Sequence, residues 1–503
     1  MIRTKQEYLD VFRTTEQALD ALVGTALAHG GDYADLFFEN TTYSDLMLRD
    51  GEVTSGGFHV DFGVGIRVLK GEKTGYAYSE STEAGAMRAA AEAASAIARG
   101  TVGGPFRTGS SDGAGPGAAP GFGARSIARD DGYVPKLYKG RPNPAADRYP
   151  VDRDWRASEA SAFIPLLNRL HETIHAADKR VEKVIAMLSW QMSDLLMYNS
   201  FGELKYETRP MGTLAVSVIL KDGRETVTTH ASRSFRCGAE MLTESLCDEL
   251  ARVALRNMDD RFAATRPKGG KMPVVMGAGA SGILLHEAMG HAFEADFNRK
   301  GQSVFAGKLG TRICPEGISI IDDGTIRGNR GALNFDDEGV PGQKTCMVED
   351  GILVSYLHDR ISARCFGVAP TGNGRRENFR YPPIPRMRAT YMESGGEDPA
   401  SIIASVGKGI YVDEFANGQV KIGEGDFTFY VKSGYLIEGG RLTRPVKDIN
   451  IIGNGPQALA DIRAVGNDGR IDDGAWTCGK EQSCPVSCGI PTVLVGGLTV
   501  GGM

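Results

Sequence analysis

Cysteine is scarce: the chain has 8 in 503 residues, too few and too scattered for the disulfide framework of a small secreted protein. Each thiol is therefore read as free or as a metal ligand. Basic charge is not in excess. The 57 Lys+Arg against 63 Asp+Glu leave a formal net charge of -6. That balance offers no bulk attraction to nucleic acid, so no direct nucleic-acid partner is expected. Long apolar runs are missing as well. The longest, Val274 to Leu285, is broken by Gly277, Gly279, Ser281 and Gly282 and is short of the ~20 residues that span a bilayer. No apolar segment follows the charged start Met1-Ile2-Arg3-Thr4-Lys5, so neither a secretory signal nor a membrane partner is read. A soluble, cytoplasmic protein is expected.

Glycine, in contrast, is abundant: 66 of 503 residues, about 13%, against a typical ~7%. It follows no G-x-y period, which excludes a collagen-like fibre. The excess instead signals turns and hairpins. The length suits two to four domains with full cores.

The pattern along the chain predicts an α+β fold. Residues 1–100 read as one α+β unit. A helix over 14–29 starts at a Thr14/Gln17 capping box, and strands follow near 34–40 and 43–49. Phe58, Val60, Phe62, Val64, Ile66 and Val68 then alternate strictly, as in a half-buried strand. A helix over 82–99 closes the unit. Residues 101–155, rich in Gly and Pro at their start, read as a linker or insert. Residues 156–265 repeat the order: a helix with Phe163, Leu167, Leu170 and Ile174 as its core stripe, strands near 181–190, 193–200 and 213–220, and a helix over 240–257. An internal duplication is one reading of this repeat. Residues 266–503 read as a β-rich domain of many short strands, barrel-like, carrying a single helix over about 280–294.

Three motifs compete for the chemistry. Gly277-Ala278-Gly279-Ala280-Ser281-Gly282 matches G-x-G-x-x-G between a strand and a helix. A dinucleotide site also needs a second parallel strand with an acidic residue soon afterwards. The sequence offers none, so a glycine turn for close packing is preferred over a nicotinamide-dependent oxidoreductase. His171-Glu172-Thr173-Ile174-His175 is a formal H-E-x-x-H, with both His on one helical face. The pair flanks the core stripe, so the helix reads as amphipathic with half-exposed His and no zinc is expected there.

His286-Glu287-Ala288-Met289-Gly290-His291 is an H-E-x-x-x-H. Five residues of ideal α-helix leave the two imidazoles about 140° apart. A π-turn, with i→i+5 bonding, repairs the alignment, and Gly290 is expected to make that distortion cheap. On spacing alone, two unrelated His on one helix is an equally good reading.

The stretch from Val274 to Phe305, with His286 to His291 followed by Glu294-Ala295-Asp296-Phe297-Asn298-Arg299, resembles the signature of the TldD/PmbA family of metalloproteases. Gly479-Lys480-Glu481 after Cys478, and the closing Leu498-Thr499-Val500-Gly501-Gly502, resemble that family's C-terminal end. The resemblance implies an α+β N-terminal half and a β-barrel-like C-terminal half. It implies Zn2+ held by His286, His291 and a distant cysteine, and it alone selects Cys478, since Cys484 and Cys488 are not excluded by spacing. The H-E-x-x-x-H marks the TldD-type subunit, because the metal-free PmbA/TldE-type paralogue lacks it. The implied activity is a zinc-dependent peptidase acting on unfolded or small peptides inside a dimeric shell, a homodimer or a heterodimer with that paralogue.

The 100–155 insert and the extra Cys484 and Cys488 depart from the family pattern. In a zinc peptidase Glu287, next to the first ligand, takes the part of general base. Glu294 and Asp296 are candidates to orient a ligating His through its free ring N–H, or are solvated helix-end carboxylates. A non-enzymatic peptide- or protein-binding regulator, in line with the family's "modulator of DNA gyrase" label, is the alternative.

Overall fold

The computed structural model describes residues 4–100, 147–279 and 281–501. The fold is α+β. The first 46 residues of the expected 101–155 insert, 101–146, lie outside the described residues. Just beyond them Tyr149 and Trp155 are already buried, and Trp155 Nε1–H donates to the Cys237 carbonyl at 2.8 Å.

Three long strands open the first unit: β1 (Tyr33–Arg49), β2 (Glu52–Lys70) and β3 (Lys73–Ser79). Three more follow in the second: β4 (Val181–Asn199), β5 (Leu204–Asp222) and β6 (Glu225–Phe235). Where the sequence reading had two strands over 34–49 and two over 181–200, the structure has one strand each time. No glycine, proline or bulge interrupts either span at its centre, so polar residues there do not end the ladder. All six strands join one antiparallel sheet, ordered β3-β2-β1-β4-β5-β6, with β1 against β4 at its centre. The Asp50-Gly51 turn carries φ of 52° and 84°, the left-handed pair of a tight hairpin.

Helices α1 (Lys5–Val11), α2 (Glu16–Leu27), α3 (Ala84–Arg99), α4 (Ile164–Ala177) and α5 (Glu244–Ala254) cover one face of this sheet. The even positions of β1 serve both cores: Ala34, Leu36 and Phe38 meet α2 and α3, while Leu46 and Leu48 meet α4 and α5. The sequence reading missed α1, a seven-residue helix whose Thr4/Glu7 capping box carries its start. The N-cap of α2 is Thr15, not Thr14. The alternating run in β2 is buried only from Val64 onward. Phe58 is 69% exposed, because β2 there extends past the helices and past the end of β3.

The other face of the sheet lies on the C-terminal half through charge. Arg67 pairs with Asp35 and with Glu338, 2.7 Å away, and Arg209 with Glu207 and Asp337. Phe37, Leu195 and Met197 pack there against Phe335 and Phe379.

In the C-terminal half five strands close a barrel: Gly270–Met276, Lys408–Lys421, Asp426–Glu438, Ile449–Asn454 and Val493–Gly501. Beside it stands a mixed sheet whose inner strands include Ile320–Asp323, Ala389–Met392 and Ser487–Ile490. The helical segment that follows Gly270–Met276 runs between barrel and sheet. Its Leu284, Leu285, Met289 and Phe293 belong to the same apolar core as Val412, Phe429 and Ile490.

Candidate metal centre

The segment expected to be one helix over 280–294 is three kinds of turn in series. An α-turn, Gly282–Leu285, passes into a π-turn, His286–Gly290, and then a 3-10 turn, His291–Phe293. The His291 N–H donates to the His286 carbonyl five residues back. That widened turn brings the imidazoles onto one side, with ring centroids 5.1 Å apart. Gly290 has helical dihedrals, φ −55° and ψ −47°, so its conformational freedom is unused. It is needed for space: a Cβ would stand 2.1 Å from Met387 Sδ.

The glycines before the segment also serve packing. A Cβ on Gly282 would lie 2.5 Å from the Gly489 nitrogen, so the absent side chain lets helix and strand touch backbone to backbone. The parallel neighbour of Gly270–Met276 is Ile410–Val412, more than a hundred residues on, which is not the βαβ unit of a dinucleotide fold.

Cys478 arrives from a short hairpin, Thr477–Lys480 with Gln482–Pro485. Donor atoms of His286, His291 and Cys478 all lie within 4.8 Å of one another, and all three residues are buried. His291 Nε2 is 3.3 Å from Cys478 Sγ, close to the ~3.5 Å edge of a tetrahedral zinc site with N and S ligands. Both ring nitrogens of His286 are buried without a hydrogen-bond partner, a costly state unless a ligand satisfies one of them. Burial pushes the Cys478 thiol up, but the His286 and His291 imidazoles outweigh it and bring it down to about 4. Two imidazoles and a thiolate are a donor set that catalytic zinc takes, with a fourth position left open. Cys484 pairs with Cys478 across the hairpin and takes a hydrogen bond from Arg386 Nη1 at 3.4 Å. Cys488 sits in the apolar core. Neither belongs to the donor cluster.

Glu287 is half-buried, with Oε2 3.8 Å from His291 Nε2. Glu294 is fully buried, and its Oε2 receives His291 Nδ1 at 2.8 Å and Lys480 Nζ at 3.0 Å. Burial raises the Glu294 carboxyl, but Lys480 and then His291 hold it down at about 2. Asp296 takes the second contact of Lys480, at 2.8 Å. The sequence reading gave Lys480 no role at this site, and it passed over Arg386. Arg386 is fully buried and donates to the Cys478 and Gln482 carbonyls, both at 2.6 Å. One signal for Lys480 was available: it stands two residues from Cys478 and so shares its face of a strand.

The His171/His175 pair is not alone either. Asp50, from the β1–β2 turn, brings a carboxylate oxygen within 4.8 Å of both rings, a convergence no sequence spacing announced.

Family models describe three segments of the chain: PmbA/TldA metallopeptidase domain 1 over 34–98, the central domain over 153–258 and the C-terminal domain over 269–502. A protein of Haemophilus influenzae named "Metalloprotease TldD homolog" is 37% identical over 477 residues, covering 94% of this chain and 93% of the relative. A "Zinc metalloprotease TldD homolog" of Saccharolobus solfataricus is 31% identical over 293 residues, 58% of this chain and 65% of its own length. The solved structure of TldE from Thermococcus kodakarensis shares the fold, with a TM-score of 0.68 at 18% identity over 96% of this chain and 100% of the other. Three matched segments and a relative aligned along nearly the whole chain carry one conclusion: this protein belongs to the PmbA/TldD family of metallopeptidases.

Proposed function

We propose that the protein is a zinc-dependent peptidase in which His286, His291 and Cys478 hold the metal and Glu287 is the general base. The observation that carries this reading is the buried donor triad, with both His286 nitrogens unpartnered and the Glu287 carboxylate beside it. The word zinc in a relative's name supports the choice of metal.

Held by His286, His291 and Cys478, a zinc ion would supply Lewis acidity toward a scissile carbonyl and an attacking water. Glu287 accepts a proton from that water and passes it to the leaving amine. Glu294, fixed by Lys480, accepts the Nδ1–H of His291 and so presents Nε2 as the donor atom. Arg386 ties the Cys478 and Gln482 carbonyls and holds the thiolate strand at its position.

The substrates are unfolded or small peptides, and the chain works as a cytoplasmic dimer, with a second copy or with a metal-free paralogue. The fold shared with TldE supports a paired assembly. No helix among the described residues is long and apolar enough to cross a membrane. Metal analysis together with digestion of an unfolded peptide tests the reading. The wild type should carry zinc in the triad and cut the peptide, and Glu287→Ala should keep that zinc and lose the cutting. A metal-free wild type that still hydrolyses peptides would overturn it.

A further inference from the structure

The second histidine pair has the makings of a separate site. His171 and His175 stand one turn apart on α4, ring centroids 4.5 Å apart, the i,i+4 arrangement in which two imidazoles converge on one ion. The third group comes from the other unit of the sheet. Asp50 sits in the left-handed turn between β1 and β2, and its Oδ1 accepts the Val184 N–H at 2.9 Å. That bond fixes the carboxylate, while Oδ2 makes no hydrogen bond among the described residues. The His171 ring lies over Gly51, 3.7 Å from where a Cβ would stand, which is ordinary contact distance.

Two buried polar atoms at this spot have no partner: His171 Nδ1 and, one turn earlier on α4, Asn168 Oδ1.

We propose that Asp50, His171 and His175 form a second metal site, for a divalent transition-metal ion of the zinc class, that clamps the β1–β2 turn onto α4. Two neutral imidazoles and one carboxylate suit zinc and its neighbours in the Irving–Williams order better than calcium or magnesium, which want oxygen alone. With three protein ligands, water completes the shell. Asp50 is exposed, so this site is weaker and faster to exchange than the buried triad. Because it joins residues of two units, its occupation stabilises the fold by mass action.

Equilibrium dialysis of the full chain against buffered Zn2+ tests the proposal. The wild type should saturate at two equivalents, the second more weakly held. The double variant His171→Gln/His175→Gln, and separately Asp50→Asn, should saturate at one and keep peptide hydrolysis. His286→Gln should retain the weaker equivalent, which separates this site from the one proposed for catalysis. Excess Zn2+ should raise the melting temperature of the wild type and not that of the double variant, whose melting without added metal reports that it folds. A wild type that saturates at one equivalent, or a second equivalent that survives the double substitution, would overturn the proposal.

Discussion

At Cys478 the two neighbouring imidazoles outweigh the cost of burial and hold the thiol below its ordinary value, at about 4. This separates two substitutions that would otherwise look alike. Cys478→Ala removes a ligand, and two imidazoles alone compete poorly with water, so metal and hydrolysis should fall together. Glu287→Gln keeps shape and hydrogen bonding but removes basicity. It should keep zinc and lose hydrolysis by at least ~10²-fold. Near-normal turnover of zinc-loaded Glu287→Gln would make Glu287 structural and move the search for a base elsewhere.

A second residue predicts a pH dependence. His358 is buried, its Nδ1 3.3 Å from Ser362 Oγ, and burial lowers its pKa to about 4. The native ring stays neutral while the unfolded chain takes a proton below its ordinary 6.5. Stability should therefore fall as pH drops from 6.5 toward 4, by about 3 kcal/mol in all. Denaturant titrations at pH 7 and pH 4.5 should show a smaller loss for His358→Gln than for the wild type; an equal loss would assign the acid sensitivity to other groups. At this scale the two histidines and Glu287 stand together within six residues, but spacing alone left them level with two unrelated histidines, and the family resemblance singled them out. Arg386 had no such signal, and Lys480 had only its place two residues from Cys478. Buried Lys and Arg are rare, and each reaches the site from a segment about a hundred or more residues away.

Among the elements, the site segment depends on two glycines with different constraints. At Gly290 the obstacle to a Cβ is the thioether of Met387, the flexible part of a side chain; at Gly282 it is the backbone of Gly489. Gly290→Ala should cost about 1–3 kcal/mol, the usual range for overpacking. Met387→Ala, a buried truncation that costs about 2–5 kcal/mol by itself, should cost less in the Gly290→Ala background than in the wild type. Gly282→Ala should cost more than Gly290→Ala and find no such relief from any single side-chain change. Urea unfolding of the single and double variants checks the order, and equal costs at the two glycines would defeat the argument. Spacing pointed to the π-turn because two imidazoles five residues apart align only on a widened turn, whereas the reason for Gly290 needed the structure, since Met387 is distant in sequence. Strand lengths were misread for a related cause. Thr41 and Thr42 in the middle of β1, and Gln191 in its neighbour β4, read as breaks, yet the Thr41 hydroxyl bonds that of Ser193 at 2.8 Å across the ladder.

For the whole molecule, periodicity showed two helix–strand–helix units but not that they share one sheet, because strand pairing between β1 and β4 leaves no local pattern. Nor did it show that the sheet's second face is buried by charge. Arg67 is wholly buried between Asp35 and Glu338, and it connects the N-terminal sheet to the half that carries the His286, His291 and Cys478 cluster. Replacing one member of such a group strands the others. Arg67→Met should destabilise the protein by about 3–5 kcal/mol, since buried Glu338 loses its ion-pair partner and Asp35 is left with Arg376, 3.6 Å away. Glu338→Gln added to it should recover part of the loss, because one of those charges is then gone. Urea unfolding of the wild type, Arg67→Met, Glu338→Gln and the double variant gives the four stabilities the cycle needs. If the double variant were less stable than Arg67→Met alone, the arginine would be acting through packing over the Tyr33 ring, 5.8 Å from its guanidinium carbon, and charge would not be what joins the two halves.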